Sequence, residues 1–131
     1  MNTYTSISKK IAKQFDTYLI EHDIFTHEIH VSKNEIEVHL ETTESFHVFS
    51  LYIYDNIQEV DVTRCFLPKE LQGNGIIKHL ISIAFNVAKE HGYRTIVSQL
   101  VNHFRDSLLG RGAIKILGEP DAVEIVDNTR L

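Results

Sequence analysis

The sequence is poor in the residues that staple or punctuate a small chain. Its single cysteine, Cys65, excludes an internal disulfide framework and fits a reducing compartment. It has two prolines, Pro68 and Pro120, and no Pro/Gly-rich linker, internal repeat or low-complexity tract that would divide it. No apolar run approaches the roughly 20 residues that span a bilayer, and Met1 to Ile11 is polar with two lysines. A soluble, cytoplasmic protein with no membrane partner is the expectation. Nor is there a Lys/Arg block: 13 basic residues face 18 acidic ones, a net charge of −5. That sign disfavours nucleic acid as a partner, because phosphate binding is driven by counterion release on a cationic surface.

What is present is ordinary globular composition: 131 residues, 43% hydrophobic and 24% charged, the size of one domain over 1–131. A chain of this length buries roughly two-thirds of its unfolded surface, so neither metal nor disulfide is needed to hold it.

The periodicity gives a mixed α/β order. From Ser6 to Ile20, Ile7, Ile11, Phe15, Tyr18 and Leu19 form one helical stripe. From His27 the period becomes two: Ile29 and Val31, the turn-like Ser32-Lys33-Asn34, then Ile36, Val38 and Leu40 alternating with acidic residues and His39. Phe46 to Tyr54 is apolar on both sides and reads as a strand inside the sheet. After Asp55-Asn56, Ile57 to Leu67 reads as a strand with Val60, Val62 and Phe66 on one face and Glu59, Asp61, Thr63 and Cys65 on the other. A helix through His91 is predicted to bury Ile77, Leu80, Ile81, Ala84, Phe85 and Ala88, with Gly92 at its left-handed exit. Then follow a strand near Thr95 to Leu100, a short helix after Asn102, a strand near Ala113 to Leu117, the turn Gly118-Glu119-Pro120-Asp121 and a last strand, Ala122 to Val126.

The chemistry lies between the fourth strand and the long helix, in Gln72-Gly73-Asn74-Gly75. A strand, a glycine loop and a helix bring several N–H groups together at the positive end of a helix dipole, which favours anions, and glycine lets the main chain approach a diphosphate closely. The spacing is neither that of a nucleoside-triphosphate loop, since no Lys-Ser/Thr follows Gly75, nor the three-glycine dinucleotide fingerprint.

Leu67-Pro68 with Gln72-Gly73-Asn74-Gly75-Ile76 resembles the Q/R-x-x-G-x-G/A loop of the GNAT superfamily, the acyl-CoA-dependent N-acyltransferases. The strand ending at Leu100-Val101, Asn102 and Gly112-Ala113 resemble that family's next strand, helix-opening asparagine and closing Gly-aromatic pair. The resemblance is strong from Glu59 to Ala113 and implies a single GNAT-like domain with a mixed, mostly antiparallel sheet flanked by helices, shortened at its N-terminus. It further implies acetyl-CoA or another acyl-CoA as cosubstrate, held at its pyrophosphate by the amides of Gln72, Gly73, Asn74, Gly75, Ile76 and Ile77. Phe66 and Leu67 would pair with the pantetheine amides, and Asn102 would contact the pantetheine arm or cap its helix. The family's acidic base falls at Asp61, with Glu59 two residues earlier. The activity implied is acetyl transfer to a primary amine of a small molecule or a protein. The alternative is a GNAT-fold module that has lost catalysis and serves binding or regulation.

Two positions depart from the pattern. Ile77 stands where the loop normally ends in Gly or Ala, and Leu108-Leu109 occupies the region of the tyrosine that often serves as general acid. Among the other reactive residues, His27-Glu28-Ile29-His30 lies in strand-like sequence where positions three apart face opposite sides, so no metal site is expected there. Cys65 has no identifiable base, and Arg105 and Arg111 read as solvated surface. Exposed strand edges would permit a homodimer.

Overall fold

A computed structural model describes residues 3–22, 27–32, 34–41, 45–66, 75–98, 100 and 102–131. The chain opens with α1 (Thr3–Glu21), then runs through β1 (His27–Val31), β2 (Glu35–Glu41), β3 (Ser45–Tyr54) and β4 (Glu59–Cys65). It continues with α2 (Ile76–Glu90), β5 (Arg94–Val97), α3 (Asn102–Gly110), β6 (Ile114–Ile116) and β7 (Glu119–Ile125). The strands form one sheet in the order β1-β2-β3-β4-β5-β7-β6. Among the described residues only β4 and β5 pair in parallel; the other pairs are antiparallel.

The core lies between one face of the sheet and the helices α1 and α2. Ile7, Ile11, Phe15, Tyr18 and Leu19 are all buried, so the stripe read from the sequence is the face α1 presents. Each such side chain contributes about 1.5–3 kcal/mol on burial. Phe15 meets Phe49 of β3 edge-on, ring centroids 5.5 Å apart. Helix α2 is rotated from the expected stripe: Ile76, Ile83 and Val87 are buried with Leu80, Ile81, Ala84 and Ala88, whereas Ile77 and Phe85 are half-buried. The cause is α1, which packs on α2 from the side and claims Ile83 and its neighbours, with Tyr18 stacked on His79 at 4.0 Å.

Four features differ from the sequence reading, three in where elements begin or end and one in the face presented. A 3-10 turn, Asp55–Ile57, with Gln58 left-handed, delays β4 to Glu59 and leaves Ile57 exposed. β5 ends at Val97 because it leaves its neighbour there. The last turn is at Leu117-Gly118, so Pro120 lies inside β7, in the irregularity where the β6 register jumps from Ile116 with Glu119 to Lys115 with Val123 and before pairing to β5 begins; no ladder N–H is needed from it.

The fourth difference is a change of face. Consecutive β3 residues Ser50 and Leu51 pair with Arg64 and Val62, which leaves Thr63 as an extra residue, a β-bulge. A bulge inverts the alternation beyond it. Cys65 is therefore opposite the buried Phe49 and packs on the core, while Phe66 is 47% exposed, the reverse of the expected faces.

Candidate functional site

The site is built at a fork in the sheet. β4 and β5 share four register pairs, from Glu59 with Arg94 to Val62 with Val97. The last tie is Ser98 N–H donating to Val62 O at 2.8 Å. Beyond it β4 runs on through the bulge to Cys65, while Leu100 N–H turns away to Asp121 O at 2.9 Å, on the β7 side. Two parallel strands that part at their C-terminal ends leave a crevice, the usual place for a ligand in such a sheet. The bulge matters here. Val62 points its peptide groups at β5, whereas Phe66 N–H donates to Val48 O of β3 at 2.8 Å. With alternation along the strand, the peptide groups of Cys65 are the ones aimed at the side β5 has vacated.

Helix α2 starts at the same end of the sheet. Its N-cap, Gly75, is left-handed at φ 71°, and no side chain caps the helix. His79 N–H makes the first helical bond, to Gly75 O at 3.0 Å. The amides ahead of it have no intrahelical acceptor and carry the positive end of the dipole. A Cβ on Gly75 would meet nothing within 4 Å, so the main chain there is open to approach. This arrangement fits a diphosphate with a long amide-bearing arm: amides at a helix start for the one, strand-edge peptide groups in the crevice for the other.

The two acids expected on β4 separate in role. Glu59 is buried and ion-paired to Arg94, Oε1 accepting from Nη2 at 2.7 Å and from Nε at 2.9 Å, which ties that oxygen to the base of β5. Asp61 stands at the fork itself and accepts from Ser98 Oγ at 2.9 Å. Desolvation raises its pKa from 3.8 to about 6, opposed by the Ser98 hydrogen bond and aided by Glu59 and Glu119. The folded pKa lies above the unfolded one, so the native state holds the proton more tightly, and stability falls as pH rises from about 4 through 6. Asp61→Asn removes that cost. Allowing for solvent screening of a partly exposed carboxyl, it should stabilise the protein by about 1 kcal/mol at pH 8 and by nothing at pH 4. Urea melts at the two pH values measure this.

The other residues singled out from the sequence fall as follows. Leu67, Gln72, Gly73 and Asn74 lie outside the described residues. Ile76 is buried, and Ile77 is half-buried and packs on the core. Phe66 donates its N–H to Val48 O, on the β3 side of β4. Asn102 is the first residue of α3, as the motif requires, and its side chain lies outside the described ones. Leu108 is fully buried, so the position of the family's tyrosine is a core position here. Burial pushes the Cys65 thiol up to about 12, which keeps it protonated. Arg105 and Arg111 donate to the carbonyls of Pro120 and Arg130 at 3.0 and 3.2 Å. His27 bonds Asp16 and His30 bonds Glu28, so the two rings turn to different partners.

Sequence reading missed Ser98, Arg94 and the Thr63 bulge. The first two reach their partners across 37 and 35 residues, through a parallel crossover that no local pattern encodes.

No family model matches the sequence, and no curated protein matches it either. Solved structures do. The chain is similar to one in the KacTA–DNA complex, with a TM-score of 0.52 and 18% identity over 86% of this chain and 79% of that one. It also matches a GNAT-family N-acetyltransferase, YhbS from Escherichia coli in complex with CoA, at TM-score 0.42 and 14% identity over 87% of this chain and 65% of that one. The chain has the GNAT fold.

Proposed function

We propose that this protein binds acetyl-CoA or a related acyl-CoA at the fork and transfers the acyl group to a primary amine. The observation that carries the reading is the joint placement, at one end of the sheet, of the parting of β4 from β5 and the uncapped, Gly75-opened start of α2. The helix amides Gly75 to Ile77 hold the diphosphate, and peptide groups near the bulge pair with the pantetheine arm and polarise the acyl carbonyl. Asp61 takes the proton from the attacking amine. With its pKa raised to about 6, it is ionised at neutral pH yet more basic than an ordinary carboxylate. Its base role predicts turnover rising as pH passes through about 6, and Asp61→Asn flattening that rise while CoA affinity is retained. A fully active variant would remove Asp61 from the mechanism. Glu59, tied to Arg94, has no part in the chemistry.

A second reading, a binding module without turnover, draws on one observation: Leu108 sits buried where the family has its proton-donating tyrosine. Under the first reading the departing thiolate takes its proton from water. The decisive measurement is thermal unfolding with CoA and acetyl-CoA. Ligand at a hundred times its Kd adds about 2.7 kcal/mol of stability. No shift with either would defeat both readings; a shift with no acetyl-CoA consumption across a panel of amines would select the second.

A further inference from the structure

The face of the sheet away from α1 and α2 carries a second polar cluster, on β1 to β3. The register sets His30 opposite Glu37, Glu28 opposite His39 and His39 opposite His47, so these side chains leave the sheet on one face. Their rings form a ladder, His30 on His39 at 4.6 Å and His39 on His47 at 4.8 Å between centroids. One ligand atom from each of His30, Glu37 and His39 lies within 4.8 Å of the others. Two carboxylates already face the imidazole nitrogens: Glu37 Oε1 is 3.0 Å from His39 Nε2, and Glu28 Oε2 is 2.9 Å from His30 Nε2. Independently, His47 Nε2 is buried and has no hydrogen-bond partner among the described residues. Buried polar nitrogens are rarely left unpaired, and one beside a cluster of metal-ligating groups calls for a partner that the described residues do not supply.

We propose that His30, Glu37 and His39 bind a divalent transition-metal ion of the zinc class on this face. The donor chemistry selects the ion. Two imidazoles and a carboxylate suit Zn(II), Ni(II) and Cu(II), whereas Mg(II) and Ca(II) require mostly oxygen. Tetrahedral bonds of about 2.0–2.2 Å need donors roughly 3.4 Å apart, so closing the present spread takes side-chain rotation and no backbone movement. Three protein donors leave one position for water. Glu28 and Glu37 balance the ion's charge. His30 comes from β1 and the other two donors from β2, so the ion clips the outermost strand to the sheet. The site is distinct from the fork and does not depend on what binds there.

The test uses the untagged full chain, freed of metal with a chelator and titrated with Zn(II) by calorimetry, with unfolding followed in parallel. One ion per chain is expected, with Kd in the micromolar range or tighter, a rise in Tm, and no response to Mg(II). Cu(II) bound in its place should show imidazole nitrogen couplings in its electron paramagnetic resonance spectrum. His39→Gln should weaken binding at least about tenfold, and the exposed His30→Gln, which carries little risk to the fold, should do the same. The His22→Gln/His79→Gln pair, just past the end of α1 and on α2, should leave it unchanged. Binding that persists in His30→Gln, or that vanishes in the helix pair, would overturn the proposal, as would no uptake by the parent chain at 100-fold excess of Zn(II) over about 10 μM protein.

Discussion

Gly75→Val is expected to raise the Kd for CoA at least about 100-fold while the protein stays folded. The two effects separate because of where the glycine sits. At φ 71° a residue with a Cβ is strained, by about 1–2 kcal/mol and somewhat more when branched, which a domain of this size survives. Among the described residues the new side chain meets nothing within 4 Å, so their packing is untouched. What it meets is the ligand: two methyl groups fill the approach to the first amides of α2, and the strained residue swings those N–H groups out of convergence. Calorimetric titration with CoA, with circular dichroism as the check on folding, measures both quantities. Tight binding by a folded Gly75→Val protein would end the case for the helix start as the anion site.

Gly112→Ala should have the largest effect on stability, a loss of about 3 kcal/mol and a fall in Tm on the order of 10 °C. Helix α3 closes as α2 does. Gly112 N–H donates to Leu109 O and Ala113 N–H to Leu108 O, both at 3.1 Å, matching Gly92 to Lys89 and Tyr93 to Ala88. The two exits differ in their surroundings. A Cβ on Gly92 would meet nothing within 4 Å, whereas at Gly112, with φ 105°, it would lie 2.7 Å from Asn128 O. That carbonyl belongs to a segment pinned by Arg130 N–H to Arg111 O at 2.7 Å and by Thr129 N–H to Val126 O at 2.9 Å, so it cannot simply retreat. Gly92→Ala is the control. It carries the dihedral strain without the collision and should cost about 1 kcal/mol. Equal losses in thermal melts of the two variants would refute the collision argument.

The parts of this fold that the sequence displays are those in which one residue's environment is set by near neighbours. The α1 stripe from Ile7 to Leu19, the left-handed exit at Gly92 and the glycine-opened start of α2 follow from a period of 3.6 and from glycine stereochemistry alone. Local signals fail where one extra residue shifts a ladder. Alternation from Val60 to Phe66 reads as an unbroken strand, and nothing in the side chains announces that Thr63 is left out of the pairing. Val48 is skipped in the same way between β2 and β3, which is why Phe46 to Tyr54 looked apolar on both sides: Val48 and Phe49 both turn inward. Around the fork, Gly75 and Asp61 could be picked out by type and spacing. The division of labour between Glu59 and Asp61 could not, because it is decided by Arg94 and Ser98 on a strand that arrives after a helix.

The single parallel junction also orders the assembly of the molecule. β1 to β4 form an antiparallel run closed by short connections, and β5 to β7 a smaller unit of their own. The two meet only when a crossover from Cys65 to Arg94 has been drawn together, the costliest chain closure in the sheet. The crevice is thus the seam between these two parts of the sheet, and a molecule seated in it touches both sides of the join.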